Sequence, residues 1–127
     1  MSARTTLSSS DSRGGFRELS TSERQLLSAL LSQSFPGRAE LVGQLEFAKV
    51  RPIENNSSLE ILVDNGPSAS VERRIPIEAE FEDSDNVTVH ILLHVVDGLM
   101  NELEIYREDL GSLKSPIDVT RLRFLVL

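Results

Sequence analysis

Hydrophobic and polar residues follow two periods along this chain, first helical and then alternating. Ser20-Thr21-Ser22-Glu23 has the form of a capping box, with Ser20 at the N-cap and Glu23 at N3. Leu26, Leu27, Leu30 and Leu31 follow at helical spacing and make one apolar stripe. Pro36-Gly37 ends that helix, within a residue or two of Gln33. A shorter helix is predicted over Arg38 to Leu45, with Leu41, Val42 and Leu45 as its buried stripe.

Beyond it the period becomes two. Strands are predicted over Phe47 to Ile53, where Pro52 marks an edge or a strand end, and over Leu59 to Val63 after the turn cluster Asn55-Asn56-Ser57-Ser58. Ile75 to Phe81 is a third strand, with Asn65-Gly66-Pro67 in the loop before it and a turn at Asp83 to Asn86 after it. Val87 to Val96 carries the clearest alternation. Asp97-Gly98 then signals a hairpin, and Leu103 and Ile105 continue the pattern. Asp109 to Pro116 is a loop. Asp118 to Leu127, apolar at Leu122 and from Phe124 on, is expected to pack as a last strand.

Helices and strands are segregated, which predicts an α+β fold: two N-terminal helices packed on one face of a mostly antiparallel sheet of five or six strands. With few apolar residues among its Ser, Thr and Gly, Met1 to Gly15 is expected to be a disordered tail, and 16–127 a single domain. A three-residue loop Val96-Asp97-Gly98 keeps charges off the core face. It pairs Ile91 with Leu103 and Val89 with Ile105, and puts Gly98 at the positive-φ position of a bulged turn.

In that register the outward residues are Glu60, Leu62, Glu78, Glu80, His90, Leu92, His94, Met100, Glu102, Glu104 and Tyr106. His90 faces Glu104, Leu92 faces Glu102, and His94 faces Met100. The binding candidates are His90, Leu92, His94, Glu102, Glu104, Tyr106, Glu78 and Glu80. An antiparallel sheet often leaves one face wet, so the plainest reading is solvated charge. The sharper one is a docking surface for a basic protein, with Tyr106 or Leu92 as anchor.

Composition narrows the partners. Acids outnumber bases 20 to 13, the formal charge is −7, and no basic cluster appears. Nucleic acid and anionic membrane are therefore not expected partners. No apolar run approaches the roughly 18–20 residues of a membrane span. The chain has no cysteine, which excludes disulfides and thiolate chemistry, and no secretory leader is read at its start. A cytoplasmic location is expected.

Signals for catalysis are weak. No phosphate-binding glycine loop and no GxSxG elbow occurs. His90 and His94 lie roughly 13 Å apart along a strand, too far to share one metal ion, so no metal and no cofactor are expected. A small-molecule binder or enzyme using His90, Glu104 and Tyr106 as an acid–base cluster is the alternative to a non-enzymatic module. A third option is self-association through the apolar C-terminus.

Arg17-Glu18-Leu19-Ser20, Glu23 to Leu27, Phe35-Pro36-Gly37, Gln44-Leu45-Glu46, Val89 to Gly98 and Leu103-Glu104-Ile105-Tyr106-Arg107 together resemble a family of small uncharacterised bacterial proteins, a domain of unknown function. Its pattern is a capped leading helix and a late Asp-Gly hairpin ending in an LEIY-like strand. The resemblance implies a stand-alone cytosolic bacterial domain and carries over no activity and no catalytic residues. In broad character such domains are similar to the immunity proteins that block basic toxins.

Overall fold

The computed structural model describes residues 14–53 and 57–127. Most of the expected tail and the Asn55-Asn56 turn lie outside them.

Helix α1 spans Thr21–Leu30. Extended backbone at Ser20 places its hydroxyl to accept from Glu23 N at 3.2 Å, while the Glu23 carboxylate accepts from Ser20 N at 2.8 Å. Both halves of the predicted capping box are present. Arg17 donates to both Glu23 oxygens, at 2.8 and 3.0 Å. That ion pair, outweighing partial burial, holds the Glu23 carboxyl down at about 2. Helix α2 spans Arg38–Gln44.

The seven strands are β1 (Arg17–Glu18), β2 (Ala48–Pro52), β3 (Leu59–Val63), β4 (Ile77–Glu82), β5 (Thr88–Val96), β6 (Leu99–Arg107) and β7 (Arg123–Val126). They form one sheet in the order β1-β2-β3-β6-β5-β4-β7, and every neighbour is antiparallel. The fold is thus α+β as expected, with seven strands among the described residues rather than five or six. The addition is β1, a two-residue pairing with Lys49 and Val50 that is too short to leave a periodic signal.

One core holds the molecule together. Leu26, Leu27, Leu30 and Leu31 of the first helical segment and Leu41 of the second pack with Val50, Ile61, Ile77, Phe81, Val89, Ile91, Leu93 and Leu103. Alternation of buried and partly exposed residues along β3, β4 and β5 leaves the opposite face open. No helix among the described residues is long and apolar enough to cross a membrane.

Several boundaries differ from expectation. Phe47 is exposed and ends a 3₁₀ turn, so the second strand starts at Ala48. The third predicted strand starts at Ile77, not Ile75. Val42, expected in the core, is 41% exposed, and Gln44 is buried in its place. Gln44 is fully satisfied there. Its amide donates to Pro67 O and Gly98 O, both at 2.7 Å, and its carbonyl accepts from Met100 N at 2.9 Å.

The central hairpin corrects the predicted register. Its loop has two residues: Val96 pairs with Leu99, and Asp97 and Gly98 both have positive φ, 53° and 78°. That is the signature of a type I′ turn. Pairing then passes from Val95↔Met100 to His94↔Glu102, so Asn101 is an extra residue at a bulge. The bulge restores Leu93↔Leu103 and Ile91↔Ile105. Beyond the bulge the strands are offset by two residues from the predicted pairs, an even number, so the buried and outward faces survive there while every outward pair changes; between turn and bulge the offset is one residue, which turns Met100 inward.

Candidate functional site

Across the outward face the rows now read as follows. His90 lies opposite Tyr106 and Glu80, Leu92 opposite Glu104 and Glu78, and His94 opposite Glu102, which in turn faces Glu60. The expected pairs His90–Glu104, Leu92–Glu102 and His94–Met100 are not formed. Met100 is a core residue, carried inward by the bulge and held at its amide by Gln44. The other outward candidates, Glu60, Leu62, Glu78, Glu80, His90, Leu92, His94, Glu102, Glu104 and Tyr106, are partly or fully exposed.

Two histidine clusters result. His90 is wedged between carboxylates, Nδ1 3.3 Å from Glu78 and Nε2 2.7 Å from Glu108. Its ring stacks on Tyr106, with centroids 5.0 Å apart and planes at 22°. Burial favours the neutral ring, but the hydrogen bonds and charges of Glu108 and Glu78 outweigh it and raise the His90 pKa. Burial, reinforced by Glu78, Glu104 and Glu108, raises the Tyr106 pKa, which keeps the phenol protonated at neutral pH.

In the second cluster Arg74 Nε donates to His94 Nδ1 at 3.1 Å. An arginine N–H only donates, so Nδ1 is the acceptor and the neutral ring carries its proton on Nε2. That proton faces Glu104 Oε1 at 2.8 Å. One ligand atom each from His94, Glu102 and Glu104 lies within 4.8 Å of the others, close enough to enclose a cation. The tautomer argues against a metal. A metal-bound imidazole normally donates its second N–H outward, whereas here the second nitrogen is occupied by an arginine donor. Glu102 has no hydrogen bond or ion pair among the described residues.

Beside these groups, β3 pairs with β6 only at Leu59↔Leu103 and Glu60↔Glu102. Farther along, Ser58 takes the place of a strand partner. Its hydroxyl accepts from Ile105 N at 2.8 Å and approaches Ile105 O at 3.3 Å. The gap opens into a cleft of about 640 Å³ lined by Ile53, Ser57, Glu102, Glu104, Tyr106 and the loop Leu110 to Leu113.

Arg107, also at the cleft, is buried and fully committed. Its five N–H donors go to Asp83, Asp85 (twice) and Asp109 (twice), at 2.7–2.9 Å. Asp83 also accepts from Ser115 Oγ, Lys114 N and Ser84 N. These bonds, Ser115 first, hold its carboxyl far below the usual carboxylate range. The network ties the cleft's loop wall to the β4–β5 turn. Sequence reasoning missed Glu108 and this whole network, because Asp83, Asp85 and Asp109 look like ordinary turn residues.

Residues 16–116 match a family described as a domain of unknown function, DUF6984. The chain belongs to that family. No curated protein and no solved structure matches it. The span matched to DUF6984 contains both histidine clusters, the cleft and the Arg107 network; β7 lies beyond it.

Proposed function

We propose that this DUF6984 domain is a non-enzymatic binding module that docks a basic protein on its outward sheet face. One observation carries the reading. The outward positions of the four central strands hold six glutamates (Glu60, Glu78, Glu80, Glu82, Glu102, Glu104), two histidines and no lysine or arginine. Flanking cations neutralise only part of this. Arg51 pairs with Glu60, and Arg123 pairs with Glu80 and Glu82. Among the described residues Glu78 and Glu104 bond only to histidines, and Glu102 makes no hydrogen bond or ion pair. Such a field accelerates and orients encounter with a cationic surface.

A non-enzymatic role fits the histidines. Both ring nitrogens of His90 and of His94 are taken by neighbours within the domain, so neither offers a free base to a substrate. Docking over a cationic active site would block it by occlusion, the immunity-like mechanism, and a cytoplasmic location belongs to the same proposal. Titration calorimetry with poly-L-arginine tests the reading. Binding should weaken steeply as salt rises. It should weaken further in Glu78→Gln/Glu104→Gln, and remain in Glu40→Gln/Glu46→Gln, which changes acids of the α2 segment. Equal loss in both variants would show that net charge alone attracts the polycation and would remove the face from the proposal.

A further inference from the structure

We infer that the cleft beside β6 is the anchoring pocket for one arginine side chain of a basic polypeptide. The inference rests on the docking reading above and names the chemistry at its centre. At about 640 Å³ the cleft is of ligand-pocket size, with room for an arginine side chain and part of its neighbouring chain. Its charge is negative. Glu102 is unpartnered, and an oxygen of Glu102 lies within 4.8 Å of one of Glu104, a spacing that a guanidinium bridges with N–H groups on two of its edges. Among the described residues that line the cleft Arg107 is the one cation, and its charge is offset by Asp83, Asp85 and Asp109, which also take up all its donors.

The remaining walls suit the rest of such a side chain. Tyr106, 38% exposed, has one ring face on His90 and lines the cleft, where a guanidinium can pack against it. Ile53 and Leu113 supply apolar wall for the methylene stem. Leu110 stands at the rim, 85% exposed with φ 64°. A leucine in left-handed backbone, projecting into water, gains nothing from either condition in the free domain. At an interface it is an apolar contact beside the charged anchor. Lysine fits less well, since its point charge cannot span two separated carboxylates in one plane.

The experiment is an NMR titration of isotope-labelled full-length protein with capped Gly-Arg-Gly, and with capped Gly-citrulline-Gly as the neutral isostere. Supporting results are arginine-dependent shifts centred on Glu102, Glu104, Tyr106 and Leu113, little response to citrulline, and about tenfold or greater weakening in Glu102→Gln. Glu102 is partly exposed and without partners, so that variant should keep the wild-type spectrum elsewhere; Leu110→Ser serves as a second variant. Equal binding of the two peptides, or an unchanged affinity in both variants, overturns the pocket. If poly-L-arginine still binds the outward face in that case, the docking reading stands alone; if it does not, both fall. A Zn²⁺ response centred on His94 with no arginine response would assign the two glutamates to a metal and also overturn the inference.

Discussion

Replacing Gln44 by leucine tests how the hairpin that carries the glutamates is held in place. Gln44 is 0% exposed and makes three hydrogen bonds. In the variant Gly98 O keeps its bond from Ala69 N at 2.9 Å, but Met100 N–H and Pro67 O lose their side-chain partner. Met100 N–H, left unsatisfied in a buried site, costs about 1–3 kcal/mol, and Pro67 O, on an exposed residue that water can reach, costs about 1 kcal/mol. The leucine returns about 1.5–3 kcal/mol by burying more apolar surface at nearly constant volume. The expected net loss is about 1 kcal/mol in urea melts. The same bond closes the bulge that sets Glu102 against His94. Hydrogen exchange at the Met100 amide should therefore accelerate beyond the global change in stability. A Gln44→Leu protein as stable as wild type, with the Met100 amide equally protected, would refute both the energetic accounting and the role given to Gln44.

Other outcomes follow from the same geometry. Gly98→Ala should lose about 1–3 kcal/mol, because φ is 78° and the new Cβ would overlap Ser68 Oγ and crowd Ala69 O at 2.9 Å; an unchanged urea midpoint would contradict the turn assignment. Ile91→Ala and Leu93→Ala, both in the core, should cost about 2–5 kcal/mol. Leu92→Ala, on the outward face, should cost much less, and a reversed order would invert the sheet. His90 has its pKa raised in the folded state, so its contribution to stability is complete below about pH 6.5 and is lost as pH rises through the raised value. The stability gap between wild type and His90→Gln should therefore be larger near pH 6 than near pH 8, and a gap that grows with pH would disprove the ion-pair account.

Much of the fold was legible because it rests on local rules. Ser20 and Glu23 declared a helix start, and alternation from Val89 to Val95 declared which face is buried. The hairpin register was not legible. From Glu102 to Arg107 a two-residue turn plus a bulge at Asn101 gives the same inside–outside pattern as the three-residue loop; the two differ at Met100, and one methionine is too weak a hydrophobic signal to separate them. Gln44 was missed because a glutamine inside a short helix looks solvated until its three backbone partners, distant in sequence, are brought to it. The cleft was invisible for a related reason: it is made by two loops and by the early end of β3–β6 pairing, none of which has a periodic signature. His90, Glu104 and Tyr106 were placed on one face, but not the pairing that gives His90 to Glu78 and Glu108.

The strand order has a kinetic consequence. β4, β5 and β6 are consecutive and joined by short turns, whereas β3 reaches β6, and β7 reaches β4, only by closing long stretches of chain. Contacts that need little loop closure form first. A β4–β6 meander that forms first would gather Glu78, Glu80, Glu82, Glu102 and Glu104 on one surface before Arg123 arrives with β7. That order predicts that dissolved salt, by screening a repulsion which Arg123 later relieves at Glu80 and Glu82, speeds refolding in stopped-flow measurements; a rate unchanged by salt would contradict it.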